Sequence, residues 1–161
     1  MDDNSIESIL RDFSEVWPRV GTVQQSAAPP TDGAPGEAER LRAFMRSAVN
    51  AEAMYTALAR RFKGASPLLN LLASEERGHM SALSVEYYLL TGDSFTPRPA
   101  PPGNDALLSA LRHAWQAEGV SEQSYLRAAQ ISPLGALYRA HAENERRHRA
   151  LLRGLIARTL Q

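Results

Sequence analysis

The chain has 161 residues, 43% of them apolar, with 18 Lys+Arg balanced by 18 Asp+Glu and no cysteine. That is one domain's length with enough apolar material for a real core; the missing cysteines exclude disulfides, thiolate zinc sites, cysteine-bound iron–sulfur clusters and cysteine nucleophiles, so any metal must be held by His and carboxylate. A formal net charge of zero gives no electrostatic reason for nucleic acid or an anionic membrane as partner, no run reaches the roughly 20 apolar residues that span a bilayer, and the acidic start Met1-Asp2-Asp3-Asn4 is unlike a signal peptide, so a cytoplasmic location is expected.

Proline and glycine clusters divide the chain into an N-terminal piece, residues 1–36, and four longer segments over 37–161. Ile6, Ile9, Leu10, Phe13, Val16 and Trp17 have helical spacing, which predicts a short amphipathic helix stopped by Pro18. Its apolar face would pack onto the main body or onto a second subunit, and a homodimer is expected. Residues 24–36 have the small, polar, Pro-rich composition of a linker.

From Glu37 to Phe62, Leu41, Met45, Ala48, Tyr55, Ala59 and Phe62 follow the 4,3,4,3 rhythm of a helix packed on neighbours, with Glu52 inside the seam. Ser66-Pro67 reads as N-cap and first-turn proline of a second helix with seam Leu69, Leu72, Glu76, His79, Leu83, Glu86, Leu90. After the Pro-rich stretch 91–104, Asn104 or Asp105 can cap a third, with seam Leu108, Leu111, Trp115, Glu118, Glu122, Tyr125, Ala129. Ser132-Pro133 repeats the cap-and-proline start for a fourth: Leu134, Tyr138, His141, Glu145, His148, Leu152, Leu155. Each seam has ionisable residues in mid-course, and the last three are apolar at both ends.

Connection lengths predict the topology. Short joins make antiparallel hairpins of helices one and two and of three and four. A helix of about 23 residues is roughly 35 Å long, and the 14-residue Pro-rich stretch, extended at about 3.1 Å per residue, reaches roughly 43 Å. It can run the length of the molecule, which makes an all-α, ferritin-like four-helix bundle with one long crossover.

The two hairpins repeat a pattern: Glu52-x-x-Tyr55 then Glu76-x-x-His79, and Glu122-x-x-Tyr125 then Glu145-x-x-His148. Internal duplication explains it. At i,i+3 a glutamate and a histidine share a helix face, and Glu plus Glu-x-x-His, twice, is the ligand set of a di-iron or di-manganese carboxylate site. One such motif alone is ordinary helix surface. Two on apolar seams bury several carboxylates, whose cost calls for compensating cations; a buried polar network is the alternative. Met45, Leu69, Trp115 and Tyr138 read as core and His113 as solvated, while His141, one turn before Glu145, could be a further ligand or a support to one.

The segments AEAMYTALARRF, LLASEERGHMSAL and ENERRHRALL resemble the helices of rubrerythrin-type members of the ferritin-like superfamily, over about residues 37–158. The resemblance implies a non-haem centre of two iron ions, with manganese possible, that reacts with peroxide or dioxygen in peroxide reduction, ferroxidase activity or related oxidations. It maps Glu76, His79, Glu145 and His148 onto metal ligands, with Glu76 and Glu145 bridging. Many members carry a further carboxylate seven residues before the motif tyrosine; Glu118 meets this with Tyr125, whereas the counterpart before Tyr55 is Ala48. Either Glu52 replaces that ligand, with Glu122 as its symmetric counterpart, or the first-helix ligand is lost. Tyr55 and Tyr125 would hydrogen-bond ligand carboxylates across the bundle. The cysteine-ligated rubredoxin-like domain of full-length rubrerythrins finds no match here, so an external electron donor, protein or substrate, is implied. Two other readings remain at this point: a non-enzymatic helical protein whose N-terminal helix is the working surface, and an iron-storage cage.

Overall fold

The computed structural model describes residues 36–161; the expected N-terminal helix, and the linker up to residue 35, lie outside the described residues. Four helices account for most of the rest: α1 (Glu37–Arg61), α2 (Ser66–Thr91), α3 (Leu107–Ile131) and α4 (Gly135–Thr159), with a 3-10 turn at Lys63–Ala65. There is no strand among the described residues. No helix among them is long and apolar enough to cross a membrane.

The helices pack as two pairs, α1 on α2 and α3 on α4. Between the pairs the chain runs through residues 92–106. It leaves α2 at Gly92, whose φ of 75° is the left-handed conformation that ends helices and suits glycine. Phe95 then lies against Tyr87 and under Arg46, the Ala100 N–H donates to Asn50 Oδ1 at 2.8 Å, and Arg61 donates to the Asp105 carbonyl at 2.8 Å. Those contacts climb α1 from its first half to its last residue. The connection therefore crosses the whole bundle, and α3 starts at the end where α1 stops.

Several local expectations shift by a residue or two. Ser66 is already helical, because the 3-10 turn delivers the chain with Ala65 at the N-cap. The third helix begins at Leu107, past Asn104 and Asp105. The last begins at Gly135, since Ser132 Oγ accepts the Leu134 N–H at 3.0 Å and spends those residues on a turn. The α2 seam continues from Leu83 into Tyr87, which is buried, leaving Leu90 exposed.

The apolar core comes in two blocks. One gathers Tyr55, Leu58, Leu69, Leu72, Leu111, Leu152 and Leu155 at the end where α2 and α3 begin. The other gathers Leu41, Phe44, Met45, Leu83, Tyr125 and Tyr138 at the opposite end. Between the two blocks along the seams lie the buried polar residues Glu76, His79, Glu118, Glu145 and His148.

Candidate metal centre

Each helical pair delivers its share of this middle layer through the i,i+3 spacing that puts Glu76 and His79 on one face of α2, and Glu145 and His148 on one face of α4. Glu118 arrives from α3. Glu76, Glu118, Glu145 and His148 each offer a ligand atom, and the four atoms lie within 4.8 Å of one another. His148 Nδ1 stands 3.2 Å from Glu76 Oε1, 3.5 Å from Glu118 Oε2 and 3.8 Å from Glu145 Oε2. His79 flanks the group: its Nδ1 is 3.2 Å from Glu145 Oε1 and 3.5 Å from Glu76 Oε2. His148 is wholly buried, and each of the others is no more than 4% exposed.

Two side chains outside the seam reading turn out to hold the histidines. His148 Nε2 lies 2.7 Å from Glu75 Oε2, and Glu75 also pairs with Arg147 at 2.9 Å. A carboxylate can only accept, so a proton sits on Nε2, and it is Nδ1 that faces inward, able to offer its lone pair once a cation displaces any second proton. His79 Nε2 lies 3.2 Å from Asn144 Nδ2. Which of the two donates depends on the ring tautomer; with the Asn144 amide oxygen turned to accept the Nε2 proton, the Nδ1 lone pair is free to face inward. Glu75 and Asn144 each immediately precede a motif glutamate, and each reaches the histidine of the other hairpin. The readable signal was that repeated position; the seam pattern passes over it because it faces sideways on the helix.

The remaining candidates sort by the same pseudo-twofold relation. Glu52 pairs with Arg77 at 2.7 Å, its side chain 25% exposed, apart from the four converging groups. Its counterpart Glu122 is buried but pairs with Arg146 at 3.1 Å and Arg149 at 3.0 Å. Both arginines that follow the motif glutamates thus hold these carboxylates away from the centre. The Tyr55 hydroxyl donates to Glu118 Oε1 across the bundle; burial first, then the Glu118 charge, pushes its pKa well up, so it stays a donor. The Tyr125 hydroxyl makes no hydrogen bond among the described residues, and the position where a matching carboxylate would stand is Ala48. His141 packs its ring 4.3 Å from that of His79 and 5.3 Å from Tyr125, beside the cluster. His113 is exposed at the surface, 3.8 Å from Asp105.

The electrostatics of the layer follow from its burial and from the crowding of its carboxylates. Burial, then hydrogen bonding with Glu118 and the charges of Glu76 and Glu118, pushes Glu145 up to about 11. For His148 burial would lower the pKa, but the hydrogen bonds and charges of Glu118 and Glu76 outweigh it and raise it to about 10. Glu118 is held below the usual carboxylate value: burial opposes this, but hydrogen bonds from His148 and Glu145 prevail. Without a cation the cluster therefore borrows protons. Even so, Glu76 Oε1, His79 Nδ1 and His148 Nδ1 are buried with no properly directed hydrogen bond. These are inward-facing ligand atoms, and orphaned buried polar atoms are rare enough to demand a reason.

No protein-family model matches the chain, and no curated protein sequence matches it. Among solved structures, a hypothetical protein, Pfu-1136390-001 from Pyrococcus furiosus, is similar to it with a TM-score of 0.66 and 23% identity, over 74% of this chain and 87% of that one. That likeness concerns the helical fold alone.

Proposed function

We propose that the buried Glu/His layer binds iron, or manganese, and that the chain is a redox protein of the rubrerythrin-like, ferritin-like kind, reducing peroxide or dioxygen or oxidising ferrous iron. What carries this reading is the set of orphaned inward atoms, Glu76 Oε1, His79 Nδ1 and His148 Nδ1, gathered beside the carboxylates of Glu118 and Glu145. A structural polar network would have closed its own hydrogen bonds; a cation satisfies every one of these atoms at once. An all-oxygen and imidazole donor set without thiolate suits iron or manganese.

The residues support two positions of unequal quality. Glu118, His148 and the shared Glu76 and Glu145 would hold the first. His79 with the same two bridging glutamates would hold the second, which lacks an outer carboxylate because position 48 is alanine. Two ferrous ions there would supply the two electrons that, with two protons, reduce one hydrogen peroxide to two waters. The protein's own part is to fix the ligands: Tyr55 fixes the Glu118 carboxylate, Glu75 fixes the His148 ring, and the two apolar blocks close the layer above and below along the helices. Electrons for turnover would come from an external donor, protein or substrate.

Anaerobic loading with ferrous iron, desalting and elemental mass spectrometry test this directly. One tightly held iron per chain is expected, approaching two at high loading, with oxidation on adding peroxide. Glu76→Ala and His148→Ala should each lose the tight iron. Full stoichiometry in either variant would sink the assignment, and a wild-type chain that takes up no iron would favour a non-enzymatic helical protein with a vestigial cluster.

A further inference from the structure

The gap at position 48 is a cavity. About 200 Å³ of space lies between α1 and α3, with Glu76, Glu118, Glu145 and Tyr125 at its inner end. Ala48 is one of the residues that line this space, so its methyl group leaves room where a longer side chain would stand. Ala51 and Met54 line one wall, while Ser47, Asn50 and Ser121 give it an uncharged polar margin. Ser47 and Asn50 are exposed, so the space communicates with the surface. Tyr125 lines the cavity, is 2% exposed, and its hydroxyl is the counterpart of the Tyr55 hydroxyl that donates to Glu118. Tyr125 thus brings to the cavity a hydroxyl that has no carboxylate acceptor of its own.

We propose that this cavity binds a short-chain monocarboxylate from solution, whose head group stands where a glutamate at position 48 would, accepts the Tyr125 hydroxyl hydrogen bond and completes the second metal position. The proposal rests on the metal-centre reading above and adds its missing ligand. Size fits: a cavity of about 150 Å³ holds benzene, so this one takes roughly six to eight non-hydrogen atoms. Chemistry fits as well. No cationic side chain lines the cavity and three glutamates face it, so a free carboxylate is repelled unless a metal cation stands between them. Binding must therefore depend on metal. Ala51 and Met54 suit a tail of a few methylenes, whereas a dicarboxylate would leave its second charge among apolar groups.

Butyrate is the probe. Calorimetric titration of sodium butyrate into the full chain, loaded anaerobically with ferrous iron, should show saturable binding of one butyrate per chain and a rise in bound iron towards two. The metal-free chain should show none. Tyr125→Phe should weaken butyrate about ten-fold by removing one hydrogen bond to a charged acceptor, without loss of the first iron. Ala51→Leu, at a half-buried wall position that tolerates bulk, should abolish butyrate binding and also keep the first iron. Ala48→Glu should bind two irons without butyrate and no longer respond to it. An iron-loaded chain that ignores butyrate, or binds it equally well after both Tyr125→Phe and Ala51→Leu, overturns this proposal while leaving the metal reading intact. A chain that binds no iron at all overturns both.

Discussion

At the scale of single residues, the histidines show how much of a site lies one position away from its ligands. His148 can offer Nδ1 inward only because Glu75 holds the proton on Nε2. Removing that partner frees the tautomer and the ring rotation, and such losses typically weaken metal binding 10- to 100-fold. Glu75→Ala should therefore lower iron affinity by about that factor with the helical content unchanged, whereas Asn144→Ala, on the less prepared His79, should cost less; competition against a chelator measures both, and an inverted order would refute the assignment. His141 makes a prediction of another kind. Burial, then the neighbouring His79 charge, lowers its pKa from the ordinary 6.5 to about 4. Below about pH 6.5 the unfolded chain takes a proton that the folded chain refuses until about pH 4. The stabilisation from keeping this ring neutral is thus full above pH 6.5 and lost as the pH falls through that window, amounting to up to about 3 kcal/mol. Urea unfolding of the metal-free protein should lose more stability between pH 7 and about pH 4.5 than the His141→Leu variant does. Parallel curves would mean that His141 is protonated in the folded state.

The helices as elements were legible because apolar residues at 4,3 spacing leave few alternatives, and because two short joins and one long one permit a single simple topology. Their ends were less so. Ser132 looks like a helix cap, yet its hydroxyl is used in the turn before Gly135, and nothing local distinguishes the two uses. Glu52 and Glu122 occupy seam positions, but arginines following the motif glutamates draw both into ion pairs, a tertiary effect invisible to spacing. Glu75 and Asn144 were missed for the converse reason, since a side chain off the seam can still cross to the neighbouring pair. Gly135 shows a constraint that belongs to the hairpin itself. A Cβ there would stand 2.7 Å from the Ala129 carbonyl oxygen, which is backbone and has little room to yield. Gly135→Ala should force α3 and α4 apart at their join and cost about 1–3 kcal/mol, as overpacking does. At Gly154 the nearest obstacle is the mobile end of Arg158 at 3.5 Å, and Gly154→Ala should stabilise by up to about 1 kcal/mol through helix propensity. Thermal unfolding of the two variants checks the contrast; equal effects would show that the hairpin join can relax.

For the molecule as a whole, two apolar blocks separated by an ionisable layer are a poor arrangement for a metal-free protein. Several carboxylates and two imidazoles lose their water there and are only partly repaid by one another, so the layer costs stability unless a cation occupies it. If metal is its purpose, the metal-free chain should gain from losing it. Replacing Glu76, Glu118, Glu145 and His148 by leucine, with Tyr55→Phe to remove the hydroxyl left without its acceptor, joins the two blocks through apolar side chains, with His79 kept as a neutral ring held by Asn144. Such exchanges of buried ionic groups for apolar ones are worth about 1–4 kcal/mol of added stability. The metal-free variant should then melt above the metal-free wild type, and ferrous iron should raise the melting temperature of the wild type alone. The wild-type rise should grow with the logarithm of iron concentration, reaching about 2.7 kcal/mol at one hundred times the dissociation constant. Had the layer been kept as a self-sufficient polar network that specifies the fold, the order would reverse: the leucine variant would lose stability and cooperativity, and iron would shift neither protein. The sign of that one difference in melting temperature, measured without metal, separates a site held open for a cation from a core that merely happens to be polar.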